Sequence, residues 1–463
     1  MSPSISRLRN LCAVAVLSLG AMGTSLQAQS AGTAELSPLQ MRNLAANAVV
    51  NGDPRMGYQV ATALLQRDPE DTEALIIRAR AARDLGRLPE AIATAQRAWG
   101  LAGNASERFG ASMVMAQSLS TSGAKTRAQI WLRRAAQNAP NDEFKSIAIR
   151  DFRYVQRTNP WATEFSFSAS PNSNINNGSA RSTTRLFDLP FEFQLSGAAR
   201  ALSGVEYSTG VATRYRLLET ARAQNDLLLR LDHKTYTLSE EAKQLAPTTE
   251  GSEFAFSSAS LSYVRRGFSG ADNMLPNQFE ITGGRTWYGH DPFMEYLRIG
   301  FTQNYVIAPG SFMFTGFNRE YQRSLSNRQD VDSWGLSTGM RVTLPNRDRL
   351  TLSLFATNSN SIDSSLDYRQ VRLSTRYAIA RPIAGVSVDF GVEISQKVHE
   401  TSRFSRFGQQ DKTLALDVTG VFNNLEYFGF SPSLTLTARK TNSNIGLYES
   451  QGLGLRVGIQ SAF

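Results

Sequence analysis

Side chains that commonly catalyse reactions or hold metal ions are scarce in this sequence. There are three histidines, His233, His290 and His399, and they lie in separate segments. No HExxH motif or other paired spacing of metal ligands accompanies them. His290 and Asp291 are adjacent beside Tyr288, but a His-Asp dipeptide without a directed nucleophile does not make a hydrolase site. The sequence therefore predicts a protein that is not an enzyme and has neither a metal nor a cofactor.

The single cysteine, Cys12, lies in an N-terminal segment with the features of a secretory signal peptide. Two arginines precede an apolar run over residues 11–22, and Ala28 follows at a position suited to cleavage. We predict a signal peptide over residues 1–28; a short buried helix is the alternative. After cleavage the chain would have no cysteine, which excludes disulfides and thiolate chemistry.

The composition excludes some classes of protein. The 463 residues have a mean hydropathy of -0.28, and beyond the N-terminal segment no apolar run approaches the roughly 18 residues of a membrane-spanning helix. A membrane β-barrel meets no such objection, because each strand needs only about 10 residues and alternate residues face the lumen. The net charge of +9 is spread along the chain without a dense basic block, so nucleic acid is not an expected partner.

Residues 36–157 are rich in helix-forming residues and contain a repeat. Gly52, Gly86 and Gly123 recur at spacings of 34 and 37 residues, and alanines recur in step with them. Small residues let the two helices of a hairpin approach closely, and glycine ends the first helix of each hairpin. The pattern resembles tetratricopeptide repeats, which implies an α-solenoid of three units; an ordinary Ala-rich helical bundle is the alternative.

The first helices of such a solenoid line its inner surface, which usually holds an extended peptide or a protein face. Charged and polar residues at equivalent positions of the three units are the candidates for binding cargo in this groove, although a solvated helix face is the alternative for each. These residues are Arg42, Glu73, Arg80, Arg83 and Gln117.

The composition changes at Asn159-Pro160-Trp161, and β-patterned segments follow over residues 161–463. Apolar and polar residues alternate clearly at 349–354, 386–395 and 413–418. Short turn sequences separate some segments and long polar inserts separate others, which is typical of an outer-membrane barrel. We therefore predict α + β multidomain architecture, with a helical solenoid followed by a transmembrane antiparallel β-barrel.

Full charges occupy the polar register at mid-strand. A water-filled lumen tolerates such charges, whereas the core of a large soluble β-sandwich, the alternative fold, does not. The charged residues are Arg372, Arg376, Asp389, Glu393, Asp417, Arg439 and Arg456. Fifteen β segments can be counted from residue 162 onward, but a barrel of this kind has an even number of strands, so we expect about 14 to 16.

The final β segment has one apolar register, which we expect to face lipid: Leu453, Leu455, Val457, Ile459 and Phe463. The terminal aromatic residue Phe463 resembles the signal by which bacterial outer-membrane proteins are recognised. This resemblance implies that the barrel insertion machinery and outer-membrane lipid are partners of the protein.

Two segments resemble the surface lipoprotein assembly modulators, known as the Slam family. The first is the run after the first strand, with Pro171, Ser173, Asn174, Ile175 and Asn176. The second precedes the last strand and contains Ser443, Asn444, Ile445 and Tyr448. The resemblance implies a 14-stranded outer-membrane translocon that moves lipoproteins, or related haem- or metal-acquisition proteins, from the periplasm to the cell surface.

On this interpretation the helical domain lies in the periplasm and engages the cargo, and the barrel forms the conduit. A polysaccharide-export porin, which also joins tetratricopeptide helices to a barrel, is the main alternative. It predicts an excess of one charge sign in the lumen, and the mixed charges mildly disfavour it. An adhesive surface protein is a further alternative, but it needs no helical domain of this size.

The contact between the first and last strands is a candidate lateral seam. Glycines remove side-chain packing from the lumen face of the last strand, and the first strand, 162–170, offers only two large apolar groups, so we expect a weakly held pair. The seam residues are Phe165, Phe167, Gly452, Gly454 and Gly458. Acyl chains of a lipidated cargo would then avoid the polar lumen by passing sideways.

Overall fold

The structure is a computed structural model that describes residues 35–270 and 275–463. The predicted signal peptide, residues 1–28, lies outside the described residues. Among the helices of the described part, none combines the length and the apolar character needed to cross a membrane.

Within the described residues, seven helices form the N-terminal domain, and each of the first three hairpins follows the same local rules. The first helix of each hairpin ends at Gly52, Gly86 or Gly123, whose φ angles of 86°, 78° and 86° are in the left-handed region that favours glycine. The bounds are α1 Pro38–Val50, α2 Pro54–Arg67, α3 Thr72–Asp84, α4 Leu88–Leu101, α5 Ala105–Thr121, α6 Lys125–Gln137 and α7 Asp142–Thr158. The three sequence repeats therefore correspond to α1–α2, α3–α4 and α5–α6.

Buried alanines form much of the helix contacts, because a methyl side chain lets two helices lie close together. Ala79, Ala95 and Ala128 are fully buried in one cluster, and Leu132 and Phe152 supply its larger side chains. The cluster continues from α3 to α7. The helices thus pack as one row of hairpins, as expected for tetratricopeptide-like repeats.

In the part of the chain that the structure describes, fourteen antiparallel strands close into a barrel in chain order, and β1 completes it by pairing with β16. The strands are β1 Trp161–Asn172, β4 Gly204–Glu219, β5 Ala223–Leu238, β6 Phe256–Ser269, β7 Leu275–Tyr288, β8 Asp291–Ala308, β9 Ser311–Ser324, β10 Val331–Thr343, β11 Arg349–Ser361, β12 Tyr368–Ala378, β13 Val386–His399, β14 Gln409–Phe422, β15 Phe430–Ser443 and β16 Ser450–Ser461. Two short strands, β2 Thr183–Thr184 and β3 Phe193–Gln194, form a separate hairpin. The predicted fold class is confirmed, and the count of fifteen segments was one too many for the barrel.

The barrel has two different rims. At the near rim, where α7 leads into β1, short connections such as 309–310 and 344–348 join the strands. At the far rim the connections include the long segments 173–203, 239–255 and 400–408, and 239–255 contains α8 Glu240–Leu245. The helical domain therefore lies on the side of the short turns.

The wall of the barrel has an apolar outer face and a charged inner face. On neighbouring strands Leu373 and Ile394 are exposed outward, whereas Arg376 pairs with both Asp389 and Asp417 across the lumen side. A continuous ring of exposed apolar side chains on every strand would be unfavourable in water but is what a lipid-embedded barrel presents. The fold is that of an outer-membrane β-barrel joined to a tetratricopeptide-like helical domain.

Candidate functional site

The ladder between β1 and β16 is incomplete. The two strands are paired at Ser168 with Gly458, Ala169 with Val457 and Asn172 with Gly454. On its other edge β1 is paired with β4 continuously from Trp161 to Asn172. The seam edge of β1 therefore has far fewer paired residues than its edge on β4.

Local sequence explains part of this gap. Pro171 has no backbone N–H to donate, so it interrupts the ladder between the pairs at Ala169 and Asn172. On β16, a Cβ at Gly454 would lie 2.8 Å from the Thr437 hydroxyl, so this close approach to β15 requires glycine. Gly452 and Gly458 likewise place no side chain between β16 and β1.

Toward the near rim the two strands of the seam are not paired. The register between β1 and β16 stops at Ser168 and Gly458, which leaves Trp161 to Phe167 without partners on β16. Phe165 and Phe167 project outward from this half of β1 and are 78% and 56% exposed. The structure thus brings the predicted seam residues to one site, with the glycines on β16 and the two phenylalanines on the unpaired half of β1.

At the far rim the segment after β1 reaches across the seam and binds the start of β16. The N–H of Ser173 donates to the carbonyl of Leu453 at 3.0 Å, and the N–H of Leu453 donates to the Ser173 hydroxyl at 2.9 Å. Farther along, the N–H of Ala180 donates to the Glu449 carbonyl at 2.8 Å, and the Arg181 guanidinium pairs with the Glu449 carboxylate. We call residues 173–181 and 446–453 the far clasp.

The amides of the first family-like motif fix the shape of this clasp. Asn174 donates to the carbonyl of Gln451 at 3.1 Å and also accepts from the N–H of Gly178 at 2.9 Å. Asn176 donates to the carbonyls of Ala198 and Arg200, both at 2.8 Å, and accepts from the N–H of Leu202 at 2.9 Å. These bonds hold the two ends of the 173–203 segment together.

Ile175 lies between these amides and anchors the segment by burial. Its side chain packs in a cluster with Leu202, Ala242 and Ala246. Loop residues that bury an apolar side chain in this way are held in one position, whereas turns rich in Asn and Gly are otherwise free to move. The segment therefore forms a fixed cover beside the far end of the seam.

The second family-like motif lies next to the first. Asn444 donates to the carbonyl of Gly408 at 3.1 Å and accepts from the N–H of Gln410 at 2.7 Å, which ties two far-rim connections together. Ile445 is 2% exposed, and its N–H donates to the Ser443 hydroxyl at 3.2 Å. Burial raises the pKa of Tyr448, whose ring lies 6.2 Å from that of Phe404. Both motifs thus build the far rim at the seam.

We expect Asn176→Ala to open the 173–203 segment. Leu202 is buried, so loss of the partner of its N–H costs about 1–3 kcal/mol, and the carbonyls of Ala198 and Arg200 also lose their donor. Limited proteolysis should then cut this segment at least several times faster than in the unaltered protein. Arg185→Ala is the matched control, because Arg185 is exposed in the same segment; equal cleavage of the two variants would contradict the assignment.

At the near rim the helical domain binds the end of β16 through Arg133 of α6. Its guanidinium donates to the carbonyl oxygens of Gly429, Phe463 and Phe428 at 2.7, 3.0 and 3.2 Å, and to the Ser461 hydroxyl at 2.8 Å. It also lies 4.7, 4.3 and 5.0 Å from the ring centroids of Phe152, Phe430 and Phe463 respectively. Charge-assisted hydrogen bonds and cation–π contacts make this the most extensively bonded side chain at the near rim.

The expectation that Phe463 faces lipid is wrong. Its ring packs edge to face on Phe152 of α7, with centroids 5.2 Å apart, and joins the buried cluster of the helical domain. The reason is that the helical domain offers Phe463 an aromatic site and a cation, which the bilayer does not. The outward register of β16 holds for Leu453, Val457 and Ile459, which are exposed.

Two further contacts complete this near clasp, which we define as Arg133, Gln137 and Lys145 with residues 426–430 and 461–463. Lys145 of α7 pairs with Glu426 at 2.6 Å, and the N–H of Phe428 donates to the Gln137 amide at 2.9 Å. Burial lowers the pKa of Arg133, and the Glu426 carboxylate acts in the opposite direction. The α6–α7 hairpin is thereby fixed to the β14–β15 turn and to the end of β16.

The same hairpin is also joined to β1. The Asn159 side chain accepts from the N–H of Trp161 at 3.1 Å and donates to the Thr126 hydroxyl at 3.1 Å. Lys125 donates to the carbonyl of Thr158 at 2.9 Å, and Arg216 of β4 donates to the carbonyl of Arg157 at 2.9 Å. The α6–α7 hairpin therefore spans both edges of the seam at the near rim.

In the helical domain the predicted groove residues lie on the first helices, α1, α3 and α5. Most of them bind each other or a nearby aspartate. Arg42 pairs with Asp71 at 2.9 Å and with Glu73 at 3.6 Å, and its hydrogen bond to Asp71 raises the pKa of Arg42. Arg83 donates to Gln117, which donates in turn to Asp151 at 3.4 Å. Arg80 is exposed.

Asp71 and Asp151 belong to this ladder, but the sequence interpretation missed both. Asp151 lies 34 residues after Gln117 on α7, beyond the three predicted repeat units, so the repeat did not indicate it. Asp71 is the N-cap of α3, where it accepts from the N–H of Ala74 at 3.0 Å. Glu73 and Arg80 are both exposed, so these two are the predicted groove residues accessible to a bound peptide.

Two cavities flank the seam. One, of about 690 Å³, is lined by outward leucines of three strands, including Leu416, Leu436 and Leu453. The other, of about 420 Å³, is lined by lumen charges such as Arg376 and Glu393. The seam therefore separates an apolar concavity on the lipid side from a charged one on the lumen side.

Comparisons with known proteins find matches only among solved structures. No family model and no curated protein matches the chain. Among solved structures, a mutant O-GlcNAc transferase from Thermobaculum terrenum is 22% identical over 26% of this chain, with a TM-score of 0.23, and this chain spans 22% of its length. A loop-deletion mutant of OmpT, an outer membrane protein of Vibrio cholerae, is 8% identical over 65% of this chain and 99% of its own, with a TM-score of 0.32. An anion-selective porin from Comamonas acidovorans is 12% identical over 65% of this chain and 100% of its own, with a TM-score of 0.31.

Proposed function

We propose that this protein is an outer-membrane translocon of the Slam type, which moves lipoproteins or related secreted proteins from the periplasm to the cell surface. The observation that carries the proposal is the incomplete β1–β16 seam, with a charged cavity on its lumen side and an apolar one on its lipid side. A lipid-anchored polypeptide needs both environments at once. The seam residues and the two family-like motifs lie at this one place.

The energetics of an acyl anchor favour a lateral route. Transfer of each CH₂ group from hydrocarbon to water costs about 0.8 kcal/mol, so threading a whole chain through a charged lumen is unfavourable. A polypeptide segment has the opposite preference, because its backbone groups need water or partners. An opening between β1 and β16 allows the acyl chain to stay in lipid while the polypeptide crosses through the lumen.

The helical domain, in the periplasm on this proposal, would collect cargo below the near rim. Its ladder of first-helix side chains presents exposed Arg80 beside the paired residues Arg42, Glu73, Arg83 and Gln117. Residues 1–28 would direct export and be removed, and Phe463 would be read by the insertion machinery before it docks on Phe152. The protein would be no enzyme and would need no cofactor.

The direction of transport needs a source of free energy other than nucleotide. The sequence has no GxxxxGK[ST] loop. Folding of the cargo outside would favour outward movement, because a folded cargo cannot pass back through the barrel and the unfolded form is depleted on that side. This mechanism requires that cargo reach the helical domain unfolded. A soluble cargo would use the same lumen without the lateral step.

The lumen charges do not favour the polysaccharide-export alternative. Arg376 is paired with Asp389 and Asp417, and Arg439 lies 3.5 Å from Glu393, so the cations here are matched by carboxylates. A channel for a polyanion would present unmatched charges of one sign along its wall.

Reconstitution in liposomes tests the proposal. A lipidated reporter protein held unfolded is supplied on the side of the helical domain, and its appearance on the other side is scored by protease sensitivity. We expect export that depends on the protein and leaves a polyanionic polysaccharide behind. Passage of the polysaccharide without passage of any reporter would overturn the proposal.

A further inference from the structure

The unpaired half of β1 is a docking edge for a strand. From Trp161 to Phe167 the strand presents backbone N–H and C=O groups to the gap, with Phe165 and Phe167 beside them on the outer face. Such an edge in a membrane is unfavourable, because hydrocarbon offers backbone groups no hydrogen-bond partners. A strand added by backbone pairing removes this cost.

One segment of the chain fits this edge in register. The existing pairs at Ser168 with Gly458 and Ala169 with Val457 define the alignment. When this alignment is extended toward the near rim, Ile459 lies opposite Phe167, Ala462 opposite Glu164 and Phe463 opposite Thr163. The residues that would complete the seam are therefore those at the end of β16.

The near clasp holds these residues elsewhere. Arg133 donates to Ser461 and Phe463, and the Phe463 ring lies on Phe152. β1 begins directly after α7, so the hairpin that holds the end of β16 is also attached to the start of β1. The hairpin therefore contacts both edges of the seam.

We infer that the α6–α7 hairpin is a spacer that keeps the near half of the seam unpaired, and that its release lets residues 459–463 pair with residues 163–167 of β1. The seam then has two states. In one, the near clasp binds the end of β16 and the near half of the seam is unpaired. In the other, the clasp is released and residues 459–463 pair with residues 163–167. Because the hairpin ends the helical solenoid, cargo bound there is in a position to bias the two states. This inference assigns the regulation of the seam and rests on the proposed function only in that last step.

Disulfide trapping between Glu164→Cys and Ala462→Cys tests the inference. These positions oppose each other only in the closed state, where the Cα separation of an antiparallel pair suits a disulfide. Glu164 lies outside the near clasp, and Ala462 takes part in it through its backbone N–H, which donates to the Gly429 carbonyl at 2.8 Å. The matched control is Glu164→Cys with Ala212→Cys, which are already paired across β1 and β4. Cys12 is changed to Ser in every variant.

We expect the control pair to oxidise fully and the test pair to oxidise little in purified protein in lipid vesicles without cargo. Adding Arg133→Ala should raise oxidation of the test pair to the level of the control pair. Lys145→Ala, which removes only the ion pair with Glu426, should raise it by a smaller amount. Full oxidation of the test pair with Arg133 present, or no increase in either variant, would overturn the inference.

The control pair and heat-modifiable migration report whether each variant is folded, so failure to fold is recognised separately. The oxidation measurement uses no cargo. Its failure is therefore distinguishable from failure of the proposed function, which the export assay alone decides.

Discussion

Locking the seam is expected to abolish export and leave insertion intact. Ala169 and Val457 are paired across β1 and β16, so cysteines at these two positions will form a disulfide in the closed middle of the seam. A covalent bond prevents separation of the strands, which the lateral route requires. In the liposome assay, export of the lipidated reporter should fall to the level of empty vesicles, and a reducing agent should restore it.

The control for this result uses the other edge of the same strand. Ala169 is also paired with Tyr207 of β4, where the ladder is continuous. Cysteines at Ala169 and Tyr207 introduce the same chemistry without locking the seam, so export should persist. Continued export with the seam disulfide fully formed would contradict the lateral route.

Phe152→Ala is expected to give the largest loss of stability. The side chain is 2% exposed within the helical cluster, and removal of a buried phenylalanine costs about 3–5 kcal/mol. The same ring supports Phe463 and the Arg133 guanidinium, so the near clasp loses its aromatic contact as well. Circular dichroism at a helical wavelength should show the helical domain melting well below the unaltered protein.

Tyr154→Ala on the same helix is the matched control. Tyr154 is exposed, and substitutions of exposed side chains usually change the free energy of unfolding by no more than about 0.5 kcal/mol. The barrel should keep its heat-modifiable migration in both variants. Identical melting of the two variants would show that Phe152 does not hold the helical domain together.

Local sequence predicted the elements of the fold because their causes are local. Gly52, Gly86 and Gly123 mark the ends of first helices, since each adopts a left-handed conformation. In the barrel, alternation of apolar and charged residues over 386–395 predicted a two-faced strand. These patterns need no knowledge of distant residues.

The clasps escaped prediction because their partners are distant in sequence. Arg133 and Phe463 are separated by 330 residues, and nothing local to Arg133 distinguishes it from other arginines of α6. The sequence indicates the family-like motif at Asn174 and Asn176, but it does not indicate the partners Gln451 and Arg200. The sequence predicted only that β1 and β16 pair weakly, and it did not predict where their pairing stops. Glycines indicate that few side chains pack at the seam, but they do not show at which residue the backbone hydrogen bonds end.

The central claim is that β1 and β4 to β16 form a closed cylinder with hydrocarbon outside and water inside. Spin labels attached to cysteines at Leu373 and Leu414, and at their neighbours Ser374 and Ala415, test it in lipid vesicles. The two leucines are exposed on the outer face, whereas Ala415 lines the charged lumen cavity with Ser374. The account predicts that labels at the leucine positions collide mainly with dissolved oxygen and that labels at the other two collide mainly with a water-soluble nickel chelate. Equal collision rates with each reagent at all four positions would contradict it.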